Sequence, residues 1–289
     1  MQNNYYSTVK RILIIIMVLN IGVSLAKIIY GYLTNSLSMV SDGFHSMFDG
    51  ISNVIGIIGI VIASRPPDKT HPYGHSKFET FAAIGIAVLL FITCFEILQS
   101  AVDKFLNPTT PEITMTSFLI MGITIIINIG VSWYENKKGK ELGSSILVAD
   151  SLHTRSDIFA SIAVIVGFIA IKLGYVLVDP IIAVFIAILI ARMGIEIIKE
   201  SSGVLLDEVA VDPEKIREIV CSVDGVEGCH RVRTRGSASD IYVDLHVTLS
   251  ACYTLNEAHT ISHKVEKALK KSVYGINDVV VHIDPCKDE

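Results

Sequence analysis

The sequence predicts an α-helical membrane protein with six transmembrane helices, followed by a cytoplasmic α+β domain of α-β-β-α-β order, ferredoxin- or metallochaperone-like. Hydrophobic residues make up 51% of the 289 residues, and the mean hydropathy is +0.54, which soluble domains rarely reach. Charge is also uneven, since residues 1–200 are mostly apolar and those after Ser201 have ordinary soluble composition. We therefore expect a transmembrane domain at 1–203 and a cytoplasmic domain at 204–289.

The transmembrane prediction depends on apolar segments of about 20 residues, the length that a helix needs to cross the hydrocarbon core. The sequence contains six of them, at 11–33, 37–63, 79–103, 114–134, 146–171 and 177–199. The first follows Lys10 and Arg11, as in a signal peptide, but it is too long and no small-residue cleavage site follows it. We interpret it as the first span.

Lysine and arginine placement predicts the orientation of these spans. Nine basic residues flank the spans on the side of the N-terminus, and only Lys104 and Lys172 lie on the other side. Cytoplasmic loops are enriched in such residues. We expect both termini in the cytoplasm, and the protein in a bacterial inner (plasma) membrane.

The last 80 residues show the patterns of a small α+β domain. Asp212 and Pro213 are a helix N-cap and first turn for "PEKIREIVC". The segments "GVEGCHRVRTR", "DIYVDLHVTL" and "INDVVVHIDP" are predicted strands, and the second alternates apolar with polar residues. The segment "TLNEAHTISHKVEKALKK" is an amphipathic helix. This order places helices on one face of a sheet.

Overall charge and cysteine content exclude several classes of protein. The net charge of −5 gives no basic surface for nucleic acid, so we expect no nucleic-acid partner. Five cysteines without a CxxC pair favour free thiols over a disulfide framework. The sequence contains no HExxH motif of zinc proteases and no GxxxxGK[ST] phosphate loop. We therefore expect neither an enzyme nor an ATP-driven pump, and no organic cofactor.

Two predicted spans carry the same polar pattern. His45 and Asp49 are four residues apart in the second span, and His153 and Asp157 repeat that spacing in the fifth. Residues four apart share a helix face, and ionisable residues within a bilayer indicate function. Two such faces supply the four nitrogen and oxygen ligands that Zn²⁺ accepts. The alternative is that these groups only hydrogen-bond between helices.

A carboxylate precedes each histidine by three residues. Asp42 and Asp150 could be ligands, proton relays or groups that orient the histidines, and we favour the orienting role for both.

The stretches "SMVSDGFHSMFDG" and "VADSLHTRSDIF" resemble the second- and fifth-helix motifs of the cation diffusion facilitator family. The resemblance covers nearly the whole chain and implies a homodimeric exporter that exchanges a divalent metal, typically Zn²⁺, for protons. It implies that His45, Asp49, His153 and Asp157 form the transport site, and the His-Asp/His-Asp set resembles zinc-selective members. Alternatives are an exporter of iron, cobalt, cadmium or manganese, or a metal sensor that does not transport.

The loop after the second predicted span, "SRPPDKTHPYGHSKFE", is a candidate chelating cluster. Asp68, His71 and His75 lie within eight residues, in a segment stiffened by prolines. An ordinary polar loop is the alternative. Family members resemble this stretch and bind a second metal there. The resemblance also implies that Lys77 pairs across a dimer with the acidic position matched by Asp207.

The predicted cytoplasmic domain holds five of the nine histidines. By resemblance, a regulatory zinc site contains His230, His246, His259, His282 and Asp284. His263 has no clear match, although it lies four residues after His259 on the same helix face. The resemblance further implies that these tails dimerise and respond to metal, which would couple cytoplasmic metal concentration to transport.

Overall fold

The computed structural model describes residues 2–33, 47, 50–106, 115–172 and 178–286. They form two compact units, Met1–Ser201 and Ser202–Glu289. Asp42, His45 and Asp49 lie outside the described residues. The part of the predicted transport site that the structure can place is therefore the pair in the fifth predicted span.

The first unit is built from long helices. In chain order they are α1 (Gln2–Leu33), α2 (Ile51–Ala63), α3 (Lys77–Leu106), α4 (Met115–Leu142), α5 (Ser145–Lys172) and α6 (Val178–Leu205), the last of which continues into the second unit. Each overlaps one of the six predicted spans. Within the described residues, Tyr5–Ile29, Lys77–Asp103 and Pro180–Leu205 are long and apolar enough to cross a membrane, and Ile51–Ala63 is a shorter apolar helix. The helical membrane fold is confirmed, and the count of six spans remains a prediction.

The loop expected between the fourth and fifth spans is mostly helical. Helix α4 continues eight residues past the predicted end at 134, because the segment after it contains good helix formers such as Glu135, Lys137 and Lys138. The chain turns at Gly143, whose φ of 69° favours glycine. Ser144 and the start of α5 then follow directly, so the N-terminus of α5 packs tightly against the end of α4.

Apolar side chains between the helices form the core of the first unit. Leu13, Ile86, Leu90, Ile146 and Ile190 are fully buried. At Gly59, helix α2 lies so close to Ala82 of α3 that a Cβ could not be accommodated. Such close packing through small residues is typical of membrane helices, where packing replaces the hydrophobic effect.

The second unit confirms the predicted α-β-β-α-β order. Its elements are α7 (Pro213–Cys221), β1 (Gly228–Ser237), β2 (Asp240–Leu249), α8 (Leu255–Ser272) and β3 (Ile276–Pro285). The strand order is β1-β2-β3, with β1 antiparallel and β3 parallel to the central β2. Alternate residues of β2, such as Val243 and Leu245, are buried against Ile216 of α7 and Val265 of α8.

Both helices of this unit start as the sequence predicts. The Asp212 side chain accepts a hydrogen bond from the Glu214 backbone N–H, and Thr254 and Glu257 form a reciprocal capping box. Strand register then brings histidines together. His230 of β1 lies opposite His246 of β2, which lies opposite His282 of β3. Directly after His230 the β1 register shifts, and Arg231 adopts a φ of 50°.

Candidate metal sites

The loop between α2 and α3 forms a compact cluster of Asp68, His71 and His75. One ligand atom from each lies within 4.8 Å of the others. Asp68 Oδ1 is 3.4 Å from His71 Nδ1, and Asp68 Oδ2 is 3.4 Å from His75 Nε2. The structure thus brings all three predicted loop residues together. Carboxylate and imidazole groups are ligands that Zn²⁺ accepts.

Local hydrogen bonds hold the Asp68 carboxylate in the loop. The Thr70 hydroxyl donates to Asp68 Oδ1 at 2.7 Å, and the backbone N–H groups of Thr70 and His71 donate at 2.8 and 2.7 Å. The hydrogen bond from the Thr70 side chain, and then that from the His71 backbone, hold the Asp68 pKa well below its usual range. Asp68 is therefore available as an anion. Sequence reasoning missed the part played by Thr70.

His75 is the buried member of this cluster. Its side chain is 7% exposed, and its Nδ1 has no hydrogen-bond partner among the residues that the structure describes. The ring packs 4.3 Å from that of His71 and stacks on Phe78 in the first turn of α3. A buried polar atom without a partner is rare, and a bound ion or water is one explanation for it.

A second cluster lies across the sheet of the second unit. One ligand atom each from His230, His246 and Asp284 falls within 4.8 Å of the others. Asp284 Oδ2 is 2.9 Å from His246 Nδ1 and 3.2 Å from His230 Nε2, while Oδ1 is 3.4 Å from His282 Nε2. The His246 and His282 rings are 4.4 Å apart. Four of the five residues predicted for the cytoplasmic site therefore lie side by side.

The charge of Asp284 is stabilised by these histidines. The hydrogen bond with His246 is the main cause that lowers the Asp284 pKa from its usual value. The electrostatic effect of the His246, His282 and His230 side chains lowers it further. The cluster resembles a preformed set of metal ligands. It also places a carboxylate among imidazoles that would otherwise repel one another when protonated.

His259, the fifth predicted residue, is not part of that three-ligand cluster. It lies on α8, where its ring is 4.5 Å from that of His263. Cys229 belongs to the core of the second unit, and burial raises its pKa to about 11, which makes it a poor metal ligand.

Within α5, the candidate ligands are His153 and Asp157. His153 is 4% exposed, and neither ring nitrogen has a hydrogen-bond partner within the described part of the chain. Asp157 is half-buried and accepts a hydrogen bond from the Ser156 hydroxyl at 3.3 Å. Their proximity to His45 and Asp49 is untested, because those two residues lie outside the described ranges.

Further buried polar groups surround His153. Asp150 is fully buried, and its Oδ2 accepts a hydrogen bond from the Asn53 amide of α2. Asn53 in turn accepts from Asn20 of α1 at 3.1 Å. The carboxyl of the fully buried Glu135 interacts with those of Asp150 and Asp157 and accepts from Thr154 at 3.3 Å. The Glu135 carboxyl also lies within hydrogen-bonding reach of the Asp150 carboxyl.

Sequence reasoning missed Asn53 and Glu135. The available signal was an amide four residues after Asp49 in an otherwise apolar segment, and a carboxylate directly after the fourth predicted span. Polar groups in such positions are functional candidates.

Glu79 in the first turn of α3 is a contrasting buried carboxylate. Its two oxygens accept from the Tyr5 hydroxyl at 2.7 and 2.8 Å, and Oε1 accepts from the Ser144 hydroxyl at 2.6 Å. The backbone N–H groups of Ser145 and Ile146 also donate to it. Glu79 therefore caps the N-terminus of α5 and ties it to α1 and α3.

Lys77 and Asp207 are predicted to pair between two subunits, and the structure shows each of them within a single chain. Lys77 is the first residue of α3 and is exposed. Asp207 follows α6 with a φ of 57°, and its Oδ2 lies 3.7 Å from Arg235 Nη1 in the second unit. Pairing between subunits remains a prediction.

Comparison with known proteins gives matches over nearly the whole chain. The cation efflux transmembrane domain matches residues 13–206, and the cytoplasmic domain of cation efflux proteins matches residues 210–286. An uncharacterized transporter of Methanocaldococcus jannaschii is 35% identical over 280 residues, which cover 96% of this chain and 98% of the relative.

Two relatives from Bacillus subtilis have more specific names. The manganese efflux system protein MneS is 29% identical and covers 92% of each chain. The cadmium, cobalt and zinc/H(+)-K(+) antiporter is 25% identical, covering 95% of this chain and 89% of the relative. Among solved structures, a manganese form of the MamM CTD is 28% identical with a TM-score of 0.24, covering 25% of this chain and 91% of that one.

Proposed function

The chain belongs to the cation efflux family of divalent-cation transporters, and we propose that it exports Zn²⁺ across the membrane in exchange for protons. The observation that carries the proposal is His153. A buried imidazole with two unpaired nitrogens within the described residues is poorly suited to a structural role. It is well suited to hold a metal cargo with Asp157 on the same helix face.

The proposed transport site combines His153 and Asp157 with His45 and Asp49. Two imidazoles and two carboxylates match the ligands and the coordination number that Zn²⁺ prefers. Mg²⁺ and Ca²⁺ favour all-oxygen sites. The named relatives include a manganese efflux protein and a cadmium, cobalt and zinc antiporter, so the second candidate is export of another divalent transition metal.

Proton exchange follows from the chemistry of the ligands. Imidazole and carboxylate groups bind metal only when deprotonated, so binding a metal releases protons. A site that opens to each side in turn carries metal one way and protons the other. No nucleotide is needed for this cycle. Asp150 and Glu135 lie next to the proposed site, where their carboxyl groups can exchange protons with the ligands.

The two other clusters are proposed to bind Zn²⁺ as regulatory or delivery sites. Asp68, His71 and His75 form the loop site. His230, His246, His259, His282 and Asp284 form the cytoplasmic site. We further propose six spans with both termini in the cytoplasm, a transmembrane domain at 1–203, and a homodimer in which Lys77 pairs with Asp207 of the other subunit.

Transport in proteoliposomes tests this proposal. Zn²⁺ entering the vesicles, with protons moving the opposite way, is the expected result, and Asp157→Asn should abolish both movements. Asp103→Asn is the matched control, because Asp103 is an exposed carboxylate on α3. Zinc binding without flux would establish a sensor instead, and flux without proton movement would exclude antiport.

Competition between metals identifies the cargo. The proposal expects Zn²⁺ to inhibit the flux of Mn²⁺ at lower concentration than Mn²⁺ inhibits the flux of Zn²⁺. The reverse order would assign the protein to manganese export, since ligand type biases selectivity between these ions.

A further inference from the structure

A hydrogen-bonded row of three polar side chains crosses the helical unit from α1 to α5. Asn20 of α1 donates to Asn53 Oδ1 of α2 at 3.1 Å, and Asn53 Nδ2 donates to Asp150 Oδ2 of α5. Asn53 is 1% exposed and Asp150 is fully buried. The two contacts use the two ends of the Asn53 amide, its oxygen and its nitrogen. The row therefore fixes which end of this amide faces α5.

Asn53 and Asp150 occupy related places in the two predicted ligand motifs. In the sequence, Asn53 continues the four-residue spacing of His45 and Asp49. Asp150 precedes His153 by three residues on α5, and residues three or four apart share a helix face. The hydrogen bond between Asn53 and Asp150 therefore joins α2 to the face of α5 that carries His153.

Apolar packing also brings α2 close to α1 and α5, at Gly56, one turn after Asn53. A Cβ at Gly56 would lie 2.9 Å from Ile146 Cγ2 of α5 and 3.3 Å from Leu13 Cδ1 of α1. Apolar contacts have no preferred direction, whereas a hydrogen bond requires a particular distance and angle. Side-chain amides form such bonds between membrane helices. Asn53 therefore adds a directional contact to a close packing that has none.

We propose that Asn53 is a positioning residue for transport, which holds α2 and α5 in the register that brings the two ligand pairs to one metal ion. Asn20 acts through Asn53, because it binds the amide oxygen and so keeps the amide nitrogen toward Asp150. Neither asparagine is a metal ligand. This inference rests on the proposed function, since it requires the two His-x-x-x-Asp pairs to share one metal. Groups that orient metal ligands commonly change metal affinity by about 10- to 100-fold.

Metal flux in proteoliposomes, measured over a range of metal concentrations, tests the proposal. Asn53→Leu removes the amide at nearly unchanged side-chain size, so the Zn²⁺ concentration at half-maximal flux should rise by about 10-fold. The corresponding Mn²⁺ concentration should rise less, because Zn²⁺ depends more strongly on a four-ligand tetrahedral site. A loss of folded protein would lower the maximal flux and leave both concentrations unchanged. Val54→Ala is the matched control, because Val54 is the next residue of α2 and is 45% exposed.

A reciprocal exchange tests whether the contact between α2 and α5 is responsible. In the double variant Asn53→Asp/Asp150→Asn, the amide and the carboxyl change places, so a hydrogen bond between the two helices and the total charge are both retained. Its half-maximal Zn²⁺ concentration should be closer to that of the unmodified protein than the value of either single variant. A double variant that transports no better than Asp150→Asn would overturn the proposal.

Asn20→Leu is the milder variant, because it leaves Asp150 with its donor. It should raise the half-maximal Zn²⁺ concentration by less than Asn53→Leu does, and it should add nothing when combined with Asn53→Leu. If Asn53→Leu does not fold, Asn20→Leu decides the question, and an unchanged half-maximal concentration would overturn the proposal.

Two further outcomes separate this inference from the proposed function. If the unmodified protein transports zinc and Asn53→Leu matches Val54→Ala in both half-maximal concentrations, the positioning role is wrong and the proposed function stands. If the unmodified protein transports neither zinc nor manganese, the proposed function fails and this inference fails with it.

Discussion

Two buried carboxylate regions of the helical unit differ in how their polar atoms are satisfied. Around Glu79, every carboxylate oxygen receives hydrogen bonds, from Tyr5, Ser144 and the first backbone N–H groups of α5. At His153, neither ring nitrogen has a partner in the described ranges. The two regions are similarly buried and both contact α5.

Under the proposed function, this difference separates a structural role at Glu79 from a transport role at His153. Burying a polar group costs free energy unless it is hydrogen-bonded. At Glu79 the hydrogen bonds offset that cost, so the carboxylate stabilises the fold. At His153 the cost is not offset by the described residues, and the proposed function assigns the missing partners to a metal ion or protons. Burial alone would not have distinguished the Glu79 region from the His153 region.

The largest effect is expected at His153. His153→Leu replaces the imidazole with an apolar side chain of similar size and removes both unpaired nitrogens. Zinc flux should therefore fall by more than about 100-fold, which exceeds the loss typical of residues that only support a ligand. The free energy of unfolding should stay the same or rise, because no hydrogen bond among the described residues is lost. Flux in proteoliposomes and denaturant unfolding in detergent measure the two quantities. A variant that unfolds more easily but transports normally would reverse the assignment.

Glu79→Ala should show the opposite behaviour. It leaves two hydroxyls and two backbone N–H groups without their acceptor, so the free energy of unfolding should fall by about 3 kcal/mol. Glu79→Gln retains one acceptor oxygen and serves as the milder control. Denaturant unfolding measures the loss, and unchanged stability would mean that the Glu79 contacts do not hold α5.

Asp150 lies between these extremes, because it accepts a hydrogen bond from Asn53 while its carboxyl also faces that of the buried Glu135. Asp150→Asn removes negative charge beside His153, so zinc flux should fall by about 10-fold, mainly through a higher zinc concentration at half-maximal flux. Stability should change little. A loss as complete as that of His153→Leu would instead make Asp150 a ligand of the transported ion.

The smallest effect is expected for Tyr5→Phe. It removes one donor from Glu79, which keeps Ser144 and two backbone donors. The free energy of unfolding should fall by about 1 kcal/mol, the usual value of a single hydrogen bond. Flux should be normal once the protein is folded. A loss of flux at unchanged stability would indicate that the α1–α3 contact moves during transport.

Local sequence patterns predicted much of this molecule. Apolar length predicted the helices of the first unit, and Asp212 as an N-cap predicted where α7 begins. Alternation predicted strand β2. Asp68, His71 and His75 are close in space mainly because they are close in sequence, so their cluster was predictable without a fold. All of these depend on interactions within a few residues.

The sites that join distant segments required the tertiary structure. The His153 neighbourhood includes Asn53 and Glu135 because α2, α4 and α5 pack together, and nothing in the local sequence encodes that packing.

By itself, the sequence determined the helical and α+β elements, the repeated His-x-x-x-Asp pattern, and the family to which the chain belongs. The tertiary structure decided which polar groups meet. The register of β1, β2 and β3 gathers His230, His246, His282 and Asp284. The physical reason is that propensity and hydrophobic period act over one or two helical turns. Ligand distances, in contrast, are set by strand register and helix packing between residues far apart in the chain.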